Sequence, residues 1–348
     1  MQKTIFLVDD SETNLTIAED VLSKQYRVVA LPSAAKMFTA LKKFIPDLIL
    51  LDIDMPEMSG FEAMEILKSG SSYSQIPVIF LTSMTDPLIE ARGIELGAVD
   101  FILKPFSKPV LLNRIKNHLQ IDELIRERTQ QLARLTEQLI LLQNGIVHTF
   151  ADLVENRDKN ADGHIDRTAG YLKILIDAML EQGVYTDEMQ SWNMQSVISS
   201  ARLHDLGKVV ISDTILNKPD HLTEEEFQMM KMHTTEGERI IDKAIERTGD
   251  TEFLDNAKVI AAFHHERWDG TGYPYGKEKK EIPLQSRLMA IIDVYDALVS
   301  ERPYKNALTH EEAVSIITKS SDTHFDPEIV KVFINVNEKI KSAKLNFT

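Results

Sequence analysis

The chain has 348 residues, no cysteine and a formal net charge of −15 at pH 7. Two domains are expected, because single cores stop growing near ~250–300 residues. The missing thiols exclude disulfides and thiolate metal sites and point to a reducing cytoplasm, the negative balance argues against DNA as a general partner, and no apolar run approaches the ~18 residues of a membrane span.

Met1–Ile5 leads directly into a strand-like run and lacks the marks of a signal peptide. Residues 1–118 then alternate strand and helix signals. Thr4–Val8, Val28–Ala30, Leu48–Leu51, Val78–Leu81 and Val99–Ile102 are short apolar runs, with helical periodicity between them, as in Glu12–Leu22 and Phe61–Leu67. Near-continuous apolar strands separated by helices predict a doubly wound α/β domain on a five-stranded parallel sheet. Ligands of such sheets bind at the carboxyl ends of the strands. Asp9 and Asp10 follow the first run, Asp52 the third, Thr82 the fourth and Lys104 the fifth. Three carboxylates on one edge repel each other unless a cation lies among them, and Mg2+ prefers an all-oxygen shell. A lysine and a hydroxyl at neighbouring strand ends suit phosphate oxygens.

The strings FLVDD, DLILLDIDMPEMSG, LTS and LKPF resemble the receiver domain of two-component response regulators. The resemblance covers about the first third of the chain. It implies Asp52 as phosphoacceptor, Asp9 and Asp10 with Asp52 as the Mg2+ site, Thr82 and Phe101 as the switch pair, and Lys104 on the phosphoryl group, followed by a cis bond to Pro105. It also implies a cognate sensor histidine kinase as partner. Asp54 is the rival acceptor; it is disfavoured because Met55-Pro56 follows Asp52 at the receiver offset and because Asp54 is expected in the loop beyond the strand.

Beyond Lys116, Ile125, Leu132, Leu139, Ile146 and Leu153 recur every seven residues, with Ile121, Leu135 and Leu142 in the complementary positions. No Gly or Pro interrupts residues 110–144. This predicts a continuous helix with a coiled-coil seam, weakened at Arg128, that pairs two chains as a homodimer. The expected connector is 119–146, between a receiver at 1–118 and an output domain at 147–348.

The output segment reads as all-α, with helix starts at Ser191, Thr223, Thr251 and Thr309; Thr223 with Glu226 and Thr309 with Glu312 form capping boxes. Irregular stretches are expected at 204–221 and 266–283. The candidate ligands fall at helix ends and just beyond. They are His164, His204-Asp205, His233, His264-His265 and Asp293. Imidazole nitrogens and carboxylate oxygens hold Zn, Mn or Fe. His233, His264 and His265 are expected to fill one metal and His164, His204 and Asp293 the other, with Asp205 bridging. Two metals can hold a bridging hydroxide and clamp a phosphodiester for in-line attack. Lys208 follows Asp205 by three residues and His204 by four, on one helical face, where its charge can assist the leaving group. His118, His148, His221, His310 and His324 fit no ligand block and are read as structural or solvated.

HDLGK, HTTEG, HHERWDGTGYP, IIDVYDAL and SERPYK, in that order, resemble the HD-GYP domain, a subgroup of the HD phosphohydrolase superfamily. The resemblance covers residues 147–335. It implies hydrolysis of cyclic di-GMP, to pGpG or on to GMP, with Fe or Mn as metals. Tyr273, Arg302 and Lys305 would then contact substrate beside Lys208, with Asp296 nearby, while Gly270, Gly272 and Pro274 shape the loop that presents Tyr273. Some members carry a glutamate four residues before the first histidine that supports a third metal. Asn160 stands there in this chain, which favours two metals and pGpG as main product, with Glu155 and Asp162 as candidate replacements. The alternatives are a hydrolase of another cyclic dinucleotide and a catalytically weak signalling or interaction module.

Overall fold

The computed structural model describes residues 2–69, 72–83, 86–158, 163–249, 251–301 and 306–344. Asn160, Asp162, Arg302 and Lys305 lie outside the described residues, so the expectations placed on them are not taken further from the structure. The chain divides into one compact unit at Met1–Glu137 and a second at Gln138–Thr348.

The first unit alternates β1 (Thr4–Val8), α1 (Glu12–Leu22), β2 (Arg27–Leu31), α2 (Ala34–Leu41), β3 (Leu48–Asp52), α3 (Gly60–Ser69), β4 (Val78–Thr82), α4 (Pro87–Glu95) and β5 (Asp100–Leu103). The five strands are parallel in the order β2-β1-β3-β4-β5. Side chains alternate across a sheet. Accordingly Phe6 and Val8 pack with Met37, Met64 and Phe80 on one face, while Ile5 and Leu7 pack with Ala18, Leu22 and Leu111 on the other. Burial on both faces is why β1, β3 and β4 read as unbroken apolar runs. The long helix α5 (Lys108–Glu155) begins here and covers the second face with Leu111, Ile115 and Leu119.

Past Leu119, α5 keeps an uncovered apolar stripe. Ile125, Leu132, Leu139 and Leu153 are each more than half exposed, at 60%, 64%, 65% and 59%. Ile121, Leu135, Leu142 and Ile146 are exposed too.

The second unit is helical: α6 (His164–Gln182), α7 (Thr186–Met189), α8 (Met194–Ala201), α9 (Asp213–Leu216), α10 (Glu224–Thr248), α11 (Glu252–Phe263), α12 (Leu284–Val299), α13 (His310–Lys319) and α14 (Pro327–Lys344). Its core joins α6, α8, α12, α13 and α14 through Tyr171, Leu175, Val197, Ile292, Tyr295, Ile317 and Phe333. Both expected capping boxes form, at Thr223 with Glu226 and at Thr309 with Glu312. One expected start is wrong. The helix near Ser191 begins at Met194, because Asn193 caps it by accepting from the Ser196 N–H, while its own N–H is held by Glu252. The stretch 204–221 is less irregular than expected, holding a 3-10 turn at Leu206–Val210 and the short α9.

Four of the five histidines outside the ligand blocks have structural partners. His118 meets Asp100, His148 lies between Asp152 and Asp166, and His310 lies between Tyr295 and Asn337. His324 stacks on Phe325, and burial, with Arg267 adding to it, lowers its pKa to about 4. Between the ordinary His value near ~6.5 and this lower value, the unfolded chain binds a proton that the folded chain refuses. The stability this supplies is present above pH 6.5 and is lost as pH falls toward 4. His324→Gln is therefore expected to reduce the acid-induced loss of stability of the second unit by on the order of 2 kcal/mol. Denaturant unfolding at pH 7 and pH 4.5 measures it, and equal losses in both chains would refute it.

Candidate metal centres

At the carboxyl edge of the first unit's sheet, Asp9 and Asp52 are buried and Asp10 is exposed, and the three offer ligand oxygens within 4.8 Å of one another. Lys104 Nζ lies 2.7 Å from an oxygen of Asp9 and 2.7 Å from one of Asp52. Burial raises the Asp52 carboxyl above its usual value, against the pull of Lys104. Thr82 ends β4 fully buried, and the Lys104-Pro105 bond is cis. The Phe101 ring turns inward against Phe80 and covers Gly93, where any Cβ would meet the ring. Asp54 is exposed beyond the end of β3.

In the second unit the structure brings all seven candidate ligands together. His164 is the first residue of α6, His204 and Asp205 follow α8, and His264 and His265 follow α11. His233 and Asp293 depart from the expectation that ligands lie at helix ends. Both sit inside helices, α10 and α12, on faces turned toward the cluster. Gly207 permits the assembly: a Cβ there would stand 1.8 Å from the carbonyl oxygen of His233, so only glycine lets the turn after Asp205 press against α10.

Two groups result, His233 with His264 and His265, and His164 with His204 and Asp205. Asp205 faces both. Its Oδ2 lies 3.3 Å from His204 Nε2, and its Oδ1 lies 3.5 Å from His233 Nε2 and 3.9 Å from His264 Nε2. Asp293 Oδ1 is 3.4 Å from His164 Nε2.

The donor set fits divalent metal ions on the chemistry of its own ring nitrogens. His204 Nδ1 donates to the Ala201 carbonyl at 2.9 Å, His233 Nδ1 to that of Met230 at 2.8 Å, and His264 Nδ1 to that of Ile260 at 3.0 Å. Carbonyls only accept, so these rings carry their protons on Nδ1 and, while neutral, turn a lone pair outward at Nε2. Yet His233 and His264 face each other Nε2 to Nε2 at 3.4 Å, and His164 and His204 do so at 3.2 Å. Facing lone pairs repel, and a cation between them turns that repulsion into ligation. Burial also lowers the His264 pKa to about 3, with His204 and His233 adding to the effect, and lowers His265 and His233, so these rings stay neutral and ligation-competent.

Asp296, expected near substrate, borders the cleft and is buried beneath His164: its Oδ2 accepts from His164 Nδ1 at 2.8 Å, and it pairs with Arg167 at 2.7 Å. Burial opposes its ionisation, but these two partners hold its carboxyl down at about 2. Lys208 is fastened between Asp205 at 2.8 Å and Asp158 at 3.0 Å, on a 3-10 turn rather than the expected α-helical face. Burial alone would lower this ammonium, yet the two carboxylates hold it above its ordinary value. Glu155, a candidate third-metal ligand, accepts the His164 backbone N–H at 2.6 Å and so caps α6. Glu266 is buried and accepts from the backbone N–H groups of Tyr275 and Lys277, tying down the loop of Tyr273. Gly272 lets that loop fold back, since a Cβ there would meet Arg267 N at 2.3 Å. Tyr273 stacks on His265 with ring centroids 4.8 Å apart, and burial raises its phenol pKa. Asp205, Lys208, Tyr273 and Asp293 line a cleft of about 440 Å³ that also includes Leu216, Leu222 and Met230.

A helical unit that gathers this ordered His/Asp set, in a chain that begins with a five-stranded receiver-type unit, defines a response regulator with a metal-dependent phosphohydrolase domain. The chain belongs to the HD domain family, whose model matches residues 123–329, and the response regulator receiver domain matches residues 5–116. It is 40% identical to a probable cyclic di-GMP phosphodiesterase of Vibrio cholerae, over 96% of this chain and 77% of that one. A cyclic di-GMP phosphodiesterase of Thermotoga maritima is 34% identical, over 84% of this chain and 80% of its own length. A Vibrio cholerae protein named 3'3'-cGAMP-specific phosphodiesterase 2 is 34% identical over 54% of this chain and 34% of its own length.

Proposed function

We propose that this response regulator hydrolyses cyclic di-GMP at the His/Asp centre, mainly to pGpG, under control of phosphorylation at Asp52. The observation that carries the reading is Asp205, whose two oxygens face two separate histidine groups while Lys208 stands beside it. The names of the relatives that align along most of the chain support the substrate. His164, His204 and Asp293 would hold one divalent ion and His233, His264 and His265 the other, with Asp205 between them and Fe or Mn as the metals. When bound, such ions supply Lewis-acid polarisation of a phosphodiester and acidify a water. Lys208 stays charged and pairs with a phosphate oxygen, and Tyr273 stays a neutral phenol that donates a hydrogen bond toward the cleft. Arg302 and Lys305 are proposed as further substrate contacts. Two metals rather than three are favoured because Asn160 stands where a carboxylate would be needed and Glu155 is engaged at the α6 N-terminus.

Turnover of a panel of cyclic dinucleotides by the full chain, loaded with Mn2+ or Fe2+, tests this. Cyclic di-GMP should be hydrolysed fastest, and silence toward the whole panel would favour an interaction module instead. A preference for 3'3'-cGAMP is the second reading, favoured by the relative of that specificity.

The receiver at 1–118 would bind Mg2+ and take its phosphoryl group from a sensor histidine kinase. Among the described residues no helix is long and apolar enough to cross a membrane, which accords with a cytoplasmic setting. The connector 119–146 is proposed to pair two chains through the exposed stripe on α5, coupling receivers to the output domains at 147–348. Deleting residues 121–142 should convert a dimer to a monomer in light scattering after size exclusion; an unchanged mass would count against the pairing.

A further inference from the structure

On α10, Phe227 and Lys231 stand one turn apart, outboard of the cleft, and both reach the tyrosine of its wall. The Lys231 ammonium lies 4.6 Å from the Phe227 ring centroid and 5.4 Å from that of Tyr273. The Phe227 ring meets Tyr273 edge-on at 6.4 Å. Tyr273 lies in turn over His265, a candidate metal ligand, and Met230, next to Lys231, lines the cleft. The nearby acids of the same helix do not take this lysine: Glu226 is held by Lys218 and Thr223, and Glu224 by Gln228. In a chain of net charge −15, Lys231 lies against two aromatic faces and pairs with no carboxylate among the described residues.

An ammonium on two rings is held in place by their negative faces, while its charge stays available to an anion. Lys208 cannot serve the same end of a ligand, because it is clamped beside Asp205 at the metal ligands. A cyclic dinucleotide carries two phosphodiesters, and only one is attacked at a time. We propose that Lys231, seated on Phe227 and Tyr273, is a specificity-determining binding residue that takes the second, unattacked phosphodiester of the substrate. The inference rests on the cyclic dinucleotide reading above. It predicts that the chain prefers a diester with two phosphates over a small one with a single phosphate.

The test compares kcat/KM of the metal-loaded full chain for cyclic di-GMP and for bis(p-nitrophenyl) phosphate, which has one phosphodiester. Lys231→Met should lower the ratio of the two constants about tenfold, through a higher KM for cyclic di-GMP, the size of one lost charge-assisted contact. Lys231→Arg should recover most of the ratio. Phe227→Leu, which removes one ring beneath the ammonium, should lower it in the same direction by less. An unchanged ratio in Lys231→Met, or equal losses on both substrates, overturns the proposal while leaving the substrate reading in place. A wild-type chain that cleaves bis(p-nitrophenyl) phosphate but no cyclic dinucleotide overturns both.

Discussion

Asp205→Asn should cost the chain at least ~1000-fold in kcat on cyclic di-GMP and should lower its bound metal. The carboxylate is where three demands meet. One oxygen faces His204 and Lys208, and the other faces His233 and His264. The surrounding charges hold it ionised: burial works against this, but the Lys208 ammonium wins and lowers its pKa well below the ordinary value. Asparagine keeps the shape and replaces one anionic oxygen with an N–H donor. That donor can serve Asp158 or a carbonyl, but it cannot share a cation with the other histidine group. The substitution also leaves the Lys208 ammonium with Asp158 as its carboxylate partner among the described residues. Because the change is nearly isosteric, near-ultraviolet circular dichroism should match the wild type, which separates loss of chemistry from loss of fold. Analysis for Fe and Mn after anaerobic purification should find two equivalents of these metals per wild-type chain and fewer in the variant. Turnover within tenfold of wild type would remove Asp205 from the centre of the mechanism, and three equivalents in the wild type would refute the two-metal site.

The residues of this site differ in how visible they were beforehand, and the difference has a physical origin. Adjacent donors such as His204-Asp205 and His264-His265 are legible because contiguous ligands announce themselves within one turn of chain. In the sheet, β1 and α1 were readable to the residue, because a strand buried on both faces leaves a continuous apolar run and Ser11 caps α1 with its side chain. The partners that tune the ligands were harder. Asp158 reaches Lys208 across 50 positions and Arg167 reaches Asp296 across 129, and no local periodicity encodes such contacts. A trace did exist: Asp296 is three residues from Asp293 and Arg167 three from His164, the spacing that places side chains on one helical face. His233 was read as a ligand but placed near a helix end, because the capping box at Thr223 marks where α10 starts and says nothing of its 25-residue length. Glu266 carries no spacing signal for its role, because the folded loop turns it inward onto backbone N–H groups of residues nine and eleven positions on.

Acetyl phosphate with Mg2+ is expected to label the wild-type chain on one carboxylate, and Asp52→Asn should take up none. Asp52 ends β3 between Asp9 and Lys104, with its oxygen 2.7 Å from the lysine. In the transfer, a carboxylate oxygen of Asp52 bonds to phosphorus and acetate leaves. The Lys104 ammonium, already shared between the two buried acids, is placed to meet the oxygens of the arriving group. Asparagine at this position lacks the nucleophilic oxygen pair yet keeps the size of the side chain, so the sheet edge should stay intact. Asp54 supplies the control. It is exposed and beyond the strand, where Ser83 donates to it at 3.4 Å, and it does not share the Lys104 ammonium that Asp9 and Asp52 hold. Asp54→Asn should therefore label as the wild type does. Intact-mass spectrometry after a timed incubation reads both variants directly. Label retained in Asp52→Asn and lost in Asp54→Asn would move the acceptor two residues along the chain and would break the link drawn between Lys104 and phosphoryl transfer. If the label behaves as expected, the same phosphorylated sample gives the sign of control, by comparing kcat on cyclic di-GMP before and after labelling in wild type and in Asp52→Asn, where the two values should coincide.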